Sequence, residues 1–267
     1  MPFPSDRADL LREAAEAERA LREIPSAGNV DIAGRRAATQ FELGRIRDRL
    51  GESREAERLF AEAASGFLEL GHRDFAAGAR IFQARTAMAD GRDKEALSIL
   101  DRMVELFGGF PTLEKLPISP AGGLGLWLVL LSRAKDPKRL YEASGIALAM
   151  LDPLGSADHV AFSKALAWRA RSADELGYTD EAIETYQRAI AWLEQAEPDS
   201  SVDALLDDAV RRVAILLAEL HRDKEAAAAH RRVIERFKTR KTLSARLVVK
   251  ASNAWLRVTD TEQAQGP

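Results

Sequence analysis

Cysteine is absent from the 267 residues, so disulfide frameworks, thiolate nucleophiles and cysteine-ligated zinc are excluded, and a reducing, cytoplasmic setting is expected. Histidine is scarce. His72, His159, His221 and His230 form no i, i+4 pair and have no carboxylate at ligand spacing, so no metal site is expected. Long apolar runs are missing as well: the longest, around Leu124 to Leu131, is far short of the roughly 20 residues a membrane span needs. The opening MPFPSDRADLLREA has no apolar signal core. With 39 basic against 42 acidic residues and a net charge of −3, the basic excess of a general nucleic-acid binder is lacking too.

Catalytic signatures are equally thin. HRD triplets at His72 and His221 lack the downstream asparagine and the glycine-rich loop that give that triplet meaning in kinases. Gly122 to Gly125 reads GGLG without a following Gly-Lys-Ser/Thr, so it is no phosphate cradle, and its glycines are expected to permit close helix approach. Asp207-Asp208 is followed by Ala209, Val210, Arg211 and Arg212, which cannot complete an aspartate-rich magnesium motif. No enzyme and no cofactor are expected.

What the chain does have is a period. Ala165 to Ala189 reads ALAWRARSADELGYTDEAIETYQRA, two amphipathic helical segments meeting at Gly177. Equivalent turns fall at Gly51, Gly91, Lys135 and His221, with successive spacings of 40, 44, 42 and 44 residues. Seven residues before each turn stand Gly44, Ala84, Leu128, Ala170 and Ala214; five after stand Ala56, Ala96, Leu140, Ala182 and Ala226. Nine after come Phe60, Leu100, Ser144, Tyr186 and His230, and twelve after come Ala63, Met103, Ala147, Ala189 and Val233. One hairpin cannot bury its own apolar face, but stacked copies can.

This pattern resembles the tetratricopeptide repeat family, whose signature places a small residue midway along the first helix, then a turn glycine, then alanine, an aromatic and alanine on the second. The likeness is strongest over Ser163 to Ile190, clear over Ala37 to Ala64, and weakest over Gly122 to Leu148. The units exceed the usual repeat of about 34 residues and resemble the extended variants of kinesin light chains and bacterial peptide-sensing regulators. The resemblance implies an all-α, right-handed solenoid of helix-turn-helix repeats with terminal capping helices.

The organisation expected is one array over 1–260, with hairpins at about 31–70, 74–107, 120–152, 157–195 and 200–238. Capping helices are expected at 6–23 and 242–258, with a frayed tail over 261–267. Ser53, Asp93 and Asp136 stand where they could cap the second helices, with Pro137 as a favourable first helical residue. The stretch 108–119, GGFPTLEKLPIS, cannot continue a helix and reads as a connector. A sharper reading has Phe110 and Leu113 covering one mouth of a groove.

In the family, first helices line a concave groove. Six residues before the turns lie Arg45, Arg85, Val129, Arg171 and Ile215; ten before lie Phe41, Ile81, Gly125, Ala167 and Arg211. The candidate groove is therefore Phe41, Arg45, Ile81, Arg85, Lys164, Trp168, Arg171 and Arg211, with arginines forking onto acids or backbone carbonyls and Phe41, Ile81 and Trp168 supplying apolar contact. A plainer alternative is that the arginines pair with Asp48, Asp174 or nearby glutamates. Asparagine is absent from these stripes, which argues against the family's carboxylate clamp for chaperone tails. Arg231 to Lys241 adds six basic residues at a helix C-terminus, where they favour the dipole or dock an acidic partner. The leading expectation is a scaffold that captures an acidic segment of a partner protein. The alternative is a peptide- or metabolite-sensing regulatory subunit, and a third is self-association around Trp255.

Overall fold

A computed structural model describes residues 4–25, 29–107, 120–151, 159–195, 200–239 and 243–265. The connector expectation for 108–119, with Phe110 and Leu113, lies outside the described residues. Twelve α-helices and no strand occur among the described residues: α1 Pro4–Glu23, α2 Val30–Arg49, α3 Ser53–Glu69, α4 Arg73–Ala89, α5 Asp93–Phe107, α6 Pro120–Arg133, α7 Pro137–Leu151, α8 His159–Glu175, α9 Thr179–Leu193, α10 Ser200–Glu219, α11 Asp223–Phe237 and α12 Leu243–Gln265. The last runs past the expected end at Val258, because Thr261 to Gln265 contains no helix breaker before Gly266.

All five predicted turn residues adopt left-handed backbone: Gly51, Gly91 and Gly177 at φ 81, 76 and 82°, and the non-glycines Lys135 and His221 at φ 56 and 54°. At Gly177 the next residue, Tyr178, donates its N–H back to the Ala173 carbonyl at 2.8 Å, and Gly177 itself donates to Asp174 at 2.9 Å. That paired closure satisfies carbonyls the helix end would orphan, and it recurs after α2, α4 and α10. Gly71, at φ 74°, closes α3 in the same way, a turn the five-hairpin register does not mark. At the N-termini, Asp136 Oδ1 accepts from the Arg139 N–H at 3.0 Å, as expected of a cap. Ser53 does not cap α3: it is the first helical residue, and the cap position is Glu52, whose side chain makes no cap bond.

The four columns are the core. All their members, from Ala56 and Phe60 to Tyr186 and His230, are buried, as is Gly44. Small residues let helices approach: a Cβ on Gly44 would lie 2.9 Å from two Phe60 ring carbons.

The chain divides into two compact units, 1–135 and 136–267. In the first unit each helix from α1 to α6 packs on the next. Its centre is an aromatic triangle of Phe41, Phe60 and Phe82, with ring centroids 5.1 to 5.7 Å apart. α1 caps it, burying Leu10 and Ala14 against Leu43 and Leu59, and Glu18 pairs with Arg47. In α6, Leu124, Trp127, Leu128, Leu130 and Leu131 are all buried, while no atom stands within 4 Å of a Cβ built on Gly125. That glycine serves no close helix approach.

In the second unit α7 to α12 pack in chain order, and α8 also touches α10. α12 covers the last hairpin through Ala245, Val248, Val249 and Trp255. Trp255 is stacked on His230, ring centroids 4.6 Å apart. Burial holds the His230 imidazole below its usual pKa.

Candidate functional site

The first helices of neighbouring hairpins stand side by side within each unit, and an aspartate three residues before the turn joins them. In unit one Asp48 on α2 accepts from Thr86 Oγ1 at 2.8 Å and from Arg85 Nη2 at 3.3 Å, both on α4. In unit two the equivalent Asp174 on α8 is paired with Arg212 on α10. These links hold the wall on which the predicted arginines stand.

Arg45 and Arg85 lie on the wall of unit one. Arg45 pairs with Glu42 at 3.0 Å along its own helix. Arg85 is 46% exposed at its side chain and lies over the Phe82 ring, 4.4 Å from the centroid. In unit two, Arg171 pairs with Glu175 at 3.1 Å and stands 5.8 Å above the Trp168 ring. Arg211 pairs with Asp208 at 2.8 Å, and Lys164 is exposed. Trp168 is half-buried, leaving part of its ring at the surface.

Two predicted residues are elsewhere. Phe41 is 5% exposed and Ile81 2%. Both point into the hairpin interior, Phe41 as one corner of the aromatic triangle. Neither can touch a partner, because the face ten residues before the turn already serves intramolecular packing. Arg211 reaches the surface from the same column, since α10 packs through Val210, Val213 and Ala214 instead.

Every stripe arginine therefore has a carboxylate nearby, as the plainer sequence reading anticipated. The pairs of Arg45, Arg171 and Arg211 are exposed on both sides, and exposed pairs are worth only about 0 to 1 kcal/mol. Such carboxylates can be displaced by a better-placed acid. The same cannot be said of Arg92 and Glu57, a largely buried pair that ties α3 to the start of α5, nor of Arg169, which lies 4.0 Å over the Tyr141 ring and bonds Glu181 at 2.8 Å. A Cβ on Gly145 would fall 2.8 Å from the Arg169 guanidinium. Sequence reasoning missed these inter-helix networks; their signal is only a glycine at 145 and opposite charges 12 and 35 residues apart.

The basic run 231–241 is largely neutralised. Arg232 pairs with Glu194, Arg236 with Asp203 and Asp207, and Lys238 with Glu235, while Arg240 and Lys241 lie outside the described residues. Asp207 and Asp208 are thus engaged by arginines. Among the described residues no helix is long and apolar enough to cross a membrane.

No protein-family model matches the chain, and no curated protein matches it. Solved structures do. BtubC (BKLC) from P. vanneervenii is similar over 92% of this chain and 91% of its own, at 18% identity and a TM-score of 0.61. A kinesin light chain of Podosopora anserina with nearly identical TPR-like repeats is similar over 78% of this chain and 98% of its own, at 17% identity and a TM-score of 0.52. YrrB, described as a TPR protein with an unusual peptide-binding site, is similar over 80% of this chain and 92% of its own, at 15% identity and a TM-score of 0.52. At such identities the likeness is one of fold.

Proposed function

We propose, taking the tetratricopeptide-repeat fold of this chain as the premise, that it is an interaction scaffold whose first-helix walls bind a segment of a partner protein carrying acidic side chains. The observation that carries the reading is the state of Arg45, Arg85, Arg171 and Arg211: each is solvent-accessible, Arg45, Arg171 and Arg211 in exposed, weak ion pairs and Arg85 lying over the Phe82 ring with a long 3.3 Å contact to the half-buried Asp48. Such guanidiniums are oriented in advance, and orientation lowers the ordering cost of recognition. Phe82 beneath Arg85 and Trp168 beside Arg171 supply the flat surfaces that favour this orientation. Lys164 adds a steering charge. The scaffold works by binding alone. That YrrB is described as having a peptide-binding site supports a peptide-like occupant here.

The test compares wild type with an Arg45→Glu, Arg85→Glu, Arg171→Glu triple variant in affinity capture from the source organism's lysate, after circular dichroism shows equal helicity. The expected outcome is a protein retained by wild type and lost by the variant. A segment of it should bind wild type at least tenfold more tightly, since like-charge contacts at an interface cost several kcal/mol. Equal capture by both overturns the assignment of the walls.

A further inference from the structure

In the first hairpin the residue eleven before the turn meets the residue eleven after it: the Gln40 amide donates to the Glu62 carboxylate at 2.7 Å. In the second hairpin the same two positions hold Arg80 on α4 and Arg102 on α5. A hydrogen-bonded amide and carboxylate are replaced by two cations. Arg80 is half-buried and, among the described residues, its hydrogen-bond partner is Gln83 Oε1, at 2.8 Å. Glu62 is taken by Gln40 and Arg58. Among the described residues neither Arg80 nor Arg102 makes an ion pair. Burial, and then the nearness of Arg102, hold the Arg80 guanidinium below its usual range. A desolvated cation facing a like charge is unfavourable unless an anion joins them.

There is room for one. Arg80 and Arg102 line a cleft of about 500 Å³ whose apolar wall is Leu68, Ile99 and Met103, a volume within the usual span of small-molecule sites. Gln83 and Ser98 add hydrogen-bonding groups. The acid that lines the cleft among the described residues, Glu95, is engaged by Arg92 at 2.7 Å and Arg54 at 3.6 Å. The matching cleft of the fifth hairpin has Val210 and Val213 in place of Arg80 and Gln83, and its Arg232 is paired with Glu194. Cationic character belongs to the second hairpin's cleft and is not imposed by the repeat.

We propose that this cleft binds a small ligand through one carboxylate or phosphate group held between Arg80 and Arg102, with Ser98 and the Gln83 amide donating to its remaining oxygens. Arg80 and Gln83 lie three residues apart on one face of α4, while Arg85 projects about 200° around the helix from Gln83. The site is therefore distinct from the arginine wall and does not rest on the role proposed for it. Two guanidinium forks suit a planar carboxylate or a tetrahedral phosphate, and the apolar wall suits a short carbon chain attached to it.

The experiment titrates the full chain, with its arginine Nε–H signals resolved by NMR, against inorganic phosphate and separately against glutarate, each relative to chloride at equal ionic strength. A saturable shift at Arg80 and Arg102 is expected in at least one series. Saturation with phosphate alone names the ligand group as phosphoryl, with glutarate alone as carboxylate. Arg102→Glu places a carboxylate opposite Arg80, as Glu62 stands opposite Gln40, so the variant should remain folded, melt no lower than wild type and lose the response at Arg80 at least tenfold in midpoint. Shifts that do not saturate in either series, or an unchanged response in Arg102→Glu, overturn the proposal.

Discussion

Gly44 shows how much a single missing carbon can decide. Its Cβ would sit 2.9 Å from the Phe60 ring and 3.3 Å from Leu59 Cβ, and Phe60 is itself locked between Phe41 and Phe82. Gly44→Ala is expected to destabilise unit one by about 1 to 3 kcal/mol, the usual cost of overpacking, although alanine is the better helix former; urea unfolding measures it. His230 carries a pH dependence. Its folded pKa is depressed by burial against Trp255 and Ser252, so the unfolded chain binds the proton more readily. The stabilisation from keeping it neutral is complete above the ordinary histidine pKa of about 6.5 and is lost as pH falls through the lower folded value. Urea midpoints compared at pH 7.5 and 5 are expected to drop on acidification, and to drop less in His230→Phe. Legibility at this scale was mixed: the smallness of position 44 and the packing role of His230 follow from their columns. Phe41 did not, because an aromatic ten residues before a turn reads equally as wall or core until Phe60 and Phe82 are seen to enclose it.

At the six turns around Gly51, Gly71, Gly91, Lys135, Gly177 and His221 the helices end on one left-handed residue, whereas their N-termini begin by several devices. Left-handed closure is encoded in a single residue and a few backbone bonds, which is why the five turns could be read from sequence. N-termini depend on which residue ends up outside the first turn, an uncertainty of one position that misplaced Ser53. The two cases can be separated by experiment. Asp136→Ala should cost about 0.5 to 2 kcal/mol through loss of the bond to the Arg139 N–H, whereas Ser53→Ala should cost a few tenths at most, both read as shifts in melting temperature. Inter-helix ion pairs such as Asp174 with Arg212 stayed illegible because long side chains choose among several acids within reach, and helix phase alone does not rank them.

Across the molecule, burial is shared between neighbours, so the ends matter more than their length suggests. α12 covers Val233, Phe237 and His230 of α11. Deleting 243–267 is expected to lower the melting temperature by about 5 °C or more, since each kcal/mol lost shifts a domain of this size by about 2 to 4 °C. The same deletion should expose dye-binding apolar surface; an unchanged melt without dye binding would show that α12 is no cap. Repeat periodicity made the helices and their order legible in advance.

Gly71 blurs the unit of inheritance. It joins α3 to α4 with the closure that Gly51 and Gly91 use on either side of it, so from α2 to α5 every helix meets the next through an interchangeable joint. A gene duplication or deletion could break the coding sequence at any of these three joints and still yield helices ready to pair, which leaves the starting point of the ancestral repeat a matter of convention over this stretch.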